Sequence, residues 1–219
     1  MNNFKRMLLV TAAAVLGGCA TVEKMPLQTD TSSVDESKKS ILVARVSIKN
    51  ENNKSHQPKL NHVSMVVGGE NYSFTKPTLL SETDGVGKDY LISMSVNPGK
   101  AELKSIVFLR QVPMLLMASA FAELNYEIDV PSNKIVYLGN IDAVIVPRTD
   151  DSQPRAGSVI PLVDQSVAGF STGTFKITIS DNYDGDMKEF ASKFPALSGK
   201  QIAKNVLTTK LPDTTASAK

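Results

Sequence analysis

From Leu42 to Ile179 the chain returns again and again to a two-residue alternation of apolar and polar side chains. Successive side chains of an extended strand point to opposite faces, so this period fits strands with one buried face and not helices. Ala44, Val46 and Ile48 fall on one side of the first such stretch, and Arg45, Ser47 and Lys49 on the other. Tyr90, Ile92, Met94 and Val96 repeat the pattern, as do Tyr126, Ile128 and Val130, and later Phe175, Ile177 and Ile179. Apolar runs at His62 to Val67, Leu103 to Leu109, Ile135 to Leu138 and Ile141 to Val146 supply further strands. Many short strands in succession predict a mainly β fold, an antiparallel β-sandwich.

The breaks between these stretches carry their own chemistry. Gly68-Gly69 supplies two residues that tolerate positive φ, which predicts a hairpin onto the strand holding Tyr72 and Phe74. A long loop with Pro77, Asp84, Gly85 and Gly87 is expected next. In Asn97-Pro98-Gly99-Lys100 the proline fixes the first central φ and the glycine accepts the left-handed second position. Pro131-Ser132-Asn133 predicts another turn, and Gly139 inside an apolar run predicts a bulge. Near the end the period changes. Met187, Phe190, Ala191 and Phe194 recur at helical spacing, with Asp184 or Asp186 as expected cap and Pro195 as stop. A second short helix is expected after Ser198, with Ile202, Val206 and Leu207 on its apolar side. The sandwich is therefore expected to carry short C-terminal helices.

The first residues follow a different plan. Lys5 and Arg6 precede the short apolar run Met7 to Val15, which is too short to span a bilayer. Leu16-Gly17-Gly18-Cys19 follows at once and closely resembles the lipobox of bacterial lipoproteins. The resemblance implies cleavage between Gly18 and Cys19 after the Cys19 thiol has taken up a diacylglyceryl group, with further acylation such as palmitate. Ala20 stands where such families often carry an inner-membrane retention aspartate, so the resemblance implies an outer-membrane, periplasm-facing location. Residues 1–18 are thus expected to be a signal peptide. Residues 19–40, polar and without apolar period, are expected to form a flexible tether, 41–207 the folded domain, and 208–219 a frayed tail.

Without Lys5 and Arg6 the remaining chain has 22 basic and 22 acidic residues. Such balance argues against nucleic acid as a partner, since neutralising phosphates needs a basic surplus. Cys19 is the sole cysteine, so packing and not disulfides must hold the fold. The two histidines, His56 and His62, stand apart without metal-ligand spacing, and no Gly-x-Ser-x-Gly elbow is present. No cofactor, metal or catalysis is therefore expected. Asp181 to Asp186 is dense in oxygen but lacks the spacing of an EF-hand, and helix capping accounts for it.

Pro113-Met114-Leu115-Leu116-Met117-Ala118-Ser119-Ala120-Phe121-Ala122 is apolar throughout. Such a run can be a core strand or core helix. It can also be an apolar loop or helix that meets a partner or the membrane surface, with Pro113, Met114, Leu115, Leu116, Met117 and Phe121 as candidate contacts. The strand–turn–strand from Tyr126 to Ile141, with Tyr137-Leu138-Gly139, and the tail Asp181-Asn182-Tyr183 to Phe194-Pro195 resemble uncharacterised bacterial lipoproteins. Those lipoproteins carry a transthyretin-like or carboxypeptidase-regulatory-like β-sandwich. The resemblance implies a membrane-anchored, non-catalytic scaffold or binding module for another envelope component. The alternatives are a carrier of a small apolar ligand and an envelope enzyme with an unfamiliar site.

Overall fold

In the computed structural model, residues 20–83, 86–111, 117–162, 164–165 and 169–212 are described. They form two stacked β-sheets, so the sandwich expected from alternation is present. One sheet has the order β1(Thr21–Lys24), β4(Glu70–Thr75), β3(Lys59–Val67), β7(Gly99–Gln111), β8(Met117–Val130). The other has the order β10(Gly173–Ser180), β9(Ile135–Pro147), β2(Ser40–Asn50), β6(Gly87–Val96), β5(Thr78–Thr83). A short strand β11(Ile202–Lys204) joins the free edge of β9 ahead of β10. Most pairings are antiparallel, but β1 with β4, β2 with β9 and β11 with β9 are parallel. Both sheets are therefore mixed.

The inner faces interlock through Leu42, Val46, Val63, Phe74, Ile92, Met94, Phe108 and Leu138, all buried. The second sheet buries its outer face too. There the helix α1(Tyr183–Lys193) and a 3-10 turn, Pro195–Leu197, pack Phe190, Phe194 and Leu197 onto Ile41, Val43, Leu91 and Tyr137. The face of β2 holding Arg45 is thus partly roofed by a helix and not wholly open to water.

Several turns follow their sequence. Gly68 and Gly69 take φ of 58° and 86° in the β3–β4 hairpin. Gly139 has φ of 113°, and the register of β9 against β2 shifts there, from Val43↔Tyr137 to Arg45↔Asn140. This is the expected bulge, with Leu138 and Gly139 opposing Ala44 alone.

Other expectations are corrected. Residues 21–40 are not a free tether. Thr21–Lys24 pairs with β4, Met25 enters the main core, and Leu27 is buried beneath the helical layer with its N–H on Ser93 Oγ at 3.1 Å. The segment straps one sheet to the other. Met25, Leu27 and Val34 bury one at a time, at spacings that make no period. The loop expected after Phe74 contains strand β5, hairpinned onto β6, while Asp84 and Gly85 lie outside the described residues. Neither Asp184 nor Asp186 caps α1; Asn182 occupies the cap position without a side-chain bond, and Asp181 accepts the Tyr183 N–H at 3.1 Å. The second helix expected after Ser198 is absent from the described residues, and β11 stands in its place, because β9 offers an unpaired edge from Ile135 to Tyr137. The start of the tail is clasped as well. Glu127 N–H donates to Thr209 O at 3.0 Å and Leu211 N–H to Asn125 O at 2.6 Å. Residues 213–219 lie outside the described residues.

Candidate functional site

The apolar run at 113–122 enters β8 at Met117. Ala118, Ala120 and Ala122 face the core, while Met117 and Phe121 are 52% and 43% exposed. The helical reading therefore fails from Met117 onward. Small alanines on the inner side fit close against the facing sheet, and Phe121 pairs across to Val107 on β7. Pro113, Met114, Leu115 and Leu116 lie outside the described residues, as do Gly18 and Cys19. Met117 lines a hollow of about 510 Å³ with Lys59, Leu60 and Arg110, whereas Phe121 lines a different one.

That second hollow is a cleft of about 580 Å³ at the open side of the sandwich where β8 faces β10. Its apolar walls are Phe121, Leu124 and Tyr126 from β8 and Phe175 and Ile177 from β10. Glu123, Arg155 and Lys210 add charge of both signs. Two clasps frame it. Ala156 accepts the Phe121 N–H at 2.8 Å and donates its own N–H to Gly173 O at 2.7 Å, stitching the two sheet edges together. Beside it, Gly157 packs so closely that a Cβ would stand 2.2 Å from the Ser119 carbonyl oxygen, so only glycine permits this approach. The other clasp is the 209–211 segment, where Lys210 bridges to Tyr126. Arg155 is oriented by its bond to Ser171 O at 2.9 Å. Cleft residues come from four separated stretches of chain. Of the expected contacts among the described residues, Phe121 joins it and Met117 does not.

A second polar constellation lies on the outer face of the other sheet. Arg45 reaches Glu189 at 2.6 Å, Asp89 at 2.7 Å and Asp186 at 3.4 Å. Asp186 is wholly buried and also accepts the Tyr137 hydroxyl at 2.5 Å and Asn182 Nδ2 at 2.9 Å. Tyr183 packs edge-on to the Tyr137 ring, with centroids 5.5 Å apart. Lys193 ties the end of α1 to Glu189 and to the Leu80 carbonyl, both at 2.8 Å. Apart from the Arg45–Asp89 pair, which ties β2 to β6, these contacts join α1 to β2, β5 or β9 or brace the helix and its start, so this network is a latch that sets the helix over the sheet. Burial and the neighbouring Asp186 push the Tyr137 hydroxyl well above the ordinary phenol range, which keeps it a donor. Carboxylate partners raise Arg45 against the opposing effect of burial.

The latch titrates at its rim. Burial alone would raise Asp89, but hydrogen bonds from Ser47, Arg45 and Ser81 hold it below its ordinary value. Glu189 is lowered chiefly by Lys193 and also by Arg45. A carboxylate depressed in the folded state adds stability above its unfolded pKa and loses it as pH falls through the folded one. Stability is therefore expected to fall from about pH 5 downward. In Arg45→Met the fall should be shallower, because Asp89 and Glu189 lose a cause of their depression. Denaturation midpoints across that range check it; parallel slopes would contradict it.

No family model, curated protein or solved structure matches this chain.

Proposed function

We propose that the protein is a lipid-anchored binding module of the bacterial envelope. Acylation at Cys19 would hold the domain beside the outer membrane, facing the periplasm. The cleft between β8 and β10 would receive an exposed polypeptide segment of another envelope component. The observation that carries this reading is the cleft itself: open, rigidly framed, and lined by aromatic side chains beside charges of both signs. Aromatic anchors with a polar rim suit a partner's side chains. The open mouth and mixed lining favour such a segment over the enclosed apolar cavity that a small-ligand carrier needs. Confinement at the membrane raises the effective concentration for any partner held there. The sandwich and the Leu-Gly-Gly-Cys sequence support the lipoprotein reading, within which a transthyretin-like or carboxypeptidase-regulatory-like module is the proposed relationship.

The test uses a photo-activatable side chain at Phe121 or at Ser158, in intact bacteria. Both positions are expected to give one and the same polypeptide adduct, and Thr83, on β5 at the far edge, is expected not to. Arg155→Glu should abolish the adduct while leaving the thermal midpoint near that of the parent. Adducts to lipid alone, or the same adducts from Thr83, would overturn the reading.

A further inference from the structure

We infer that the corner of the sandwich made by β1 and the β3–β4 hairpin rests at the bilayer surface, with the β8–β10 cleft on the side away from it. The inference rests on the proposed acylation of Cys19 and adds an orientation to it. A flexible tether of some twenty residues would leave the body free to turn, with a reach of about 70 Å. The structure allows far less. Strand pairing begins at Thr21, opposite Tyr72, so the chain is fixed two positions after Cys19. Two residues span about 7 Å at most. The lipid attachment point therefore lies within that distance of the β1 edge.

The register decides which part of the fold this edge belongs to. Thr21 is level with Tyr72 of β4, Met65 of β3 and Leu103 of β7. β1 runs parallel to β4, away from the Gly68-Gly69 turn, so the chain enters from the side of that turn. β8 lies four strands away across the same sheet, about 19 Å at the usual strand spacing. Gln111, where β7 pairs with the start of β8, is a further eight residues along from Leu103, about 27 Å. The cleft at the β8–β10 edge is thus separated from the anchor mainly across the sheet: Tyr126 is level with Leu103, Phe121 lies four residues further along opposite Val107, and the paired residues Gln111 and Met117 lie farther still.

The chemistry of the corner fits a headgroup layer. Val22 is 68% exposed on β1, three positions after Cys19. Tyr72, the partner of Thr21, lies on the opposite face from Val22, half-buried against Phe74 with its hydroxyl reaching out to Glu70 at 3.1 Å, and an apolar ring with a polar tip suits the interface. Neither flat face offers an evident docking surface. One is covered by α1, and on the other Glu102 and Glu127 are paired with Lys104 and Lys100, so these charges give anionic lipid no net attraction.

The test takes the full chain, purified from bacterial membranes, into vesicles of phosphatidylethanolamine with a minority of phosphatidylglycerol and an acceptor dye on the headgroups. A donor dye is placed on Asn71→Cys or on Ser158→Cys. Energy transfer to the bilayer is expected to be severalfold stronger from position 71 than from 158. Equal transfer, or stronger transfer from 158, in protein that floats with the vesicles would overturn the orientation alone. Protein that does not float would overturn both the orientation and the anchoring on which it rests.

Discussion

Asp186→Ala is expected to destabilise the fold by about 3–5 kcal/mol, the cost typical of removing one partner from a buried charged network. The loss arises less from the attraction removed than from what is stranded. Tyr137 hydroxyl and Asn182 Nδ2 lose their acceptor, and Arg45 loses one of three carboxylates beneath the helix. An unmade buried hydrogen bond costs about 1–3 kcal/mol for each stranded group. Asp186→Asn keeps the shape and an acceptor for the Tyr137 hydroxyl, so it should cost distinctly less. Urea denaturation of the two variants beside the parent measures the difference. A loss under about 1 kcal/mol for alanine, near the net worth of an ordinary hydrogen bond, would mean that the latch does not hold α1.

Cys19→Ala is expected to move the protein from the membrane fraction to the soluble one almost completely. A single fourteen-carbon chain gives only marginal, reversible attachment, and each buried methylene adds about 0.8 kcal/mol. Several chains on one residue therefore account for nearly all the binding proposed here. The rest of the chain, with acidic and basic residues in balance, offers little electrostatic substitute. Fractionation before and after a high-salt wash checks this. Persistent, salt-resistant membrane association of the variant would contradict a lipid at Cys19 as the anchor.

The strands with a clean alternation were legible in advance. β2, β6 and β10 bury one side against the opposite sheet, so each repeats at period two, and the turns at Gly68-Gly69 and Asn97-Pro98-Gly99 punctuate them through residues that positive φ demands. The strands that escaped notice are short or peripheral. β1 is Thr-Val-Glu-Lys and β11 is Ile-Ala-Lys; each takes its conformation from a neighbour's open edge, and no internal pattern marks it. Arg45 illustrates a different limit. Its alternation identifies the face of β2 but not what covers that face, because α1 arrives from nearly 140 residues later. Asp186 reads as a helix-capping residue from its neighbours, yet burial beside Tyr137 gives it another part. The cleft had no local signature at all. Phe121 stands out in the sequence only as an apolar residue, and Arg155, Phe175 and Lys210 join it through the closure of the sandwich edge.

Anchoring at one cysteine, close to a folded edge, is what gives the cleft its proposed setting. Mass spectrometry of the N-terminal peptide from protein extracted with detergent tests it most directly. The account predicts a peptide that begins at Cys19 and carries the mass of a diacylglyceryl thioether, with further acyl mass on the new amino terminus. A free Cys19 thiol, whether residues 1–18 are retained or removed, would contradict it.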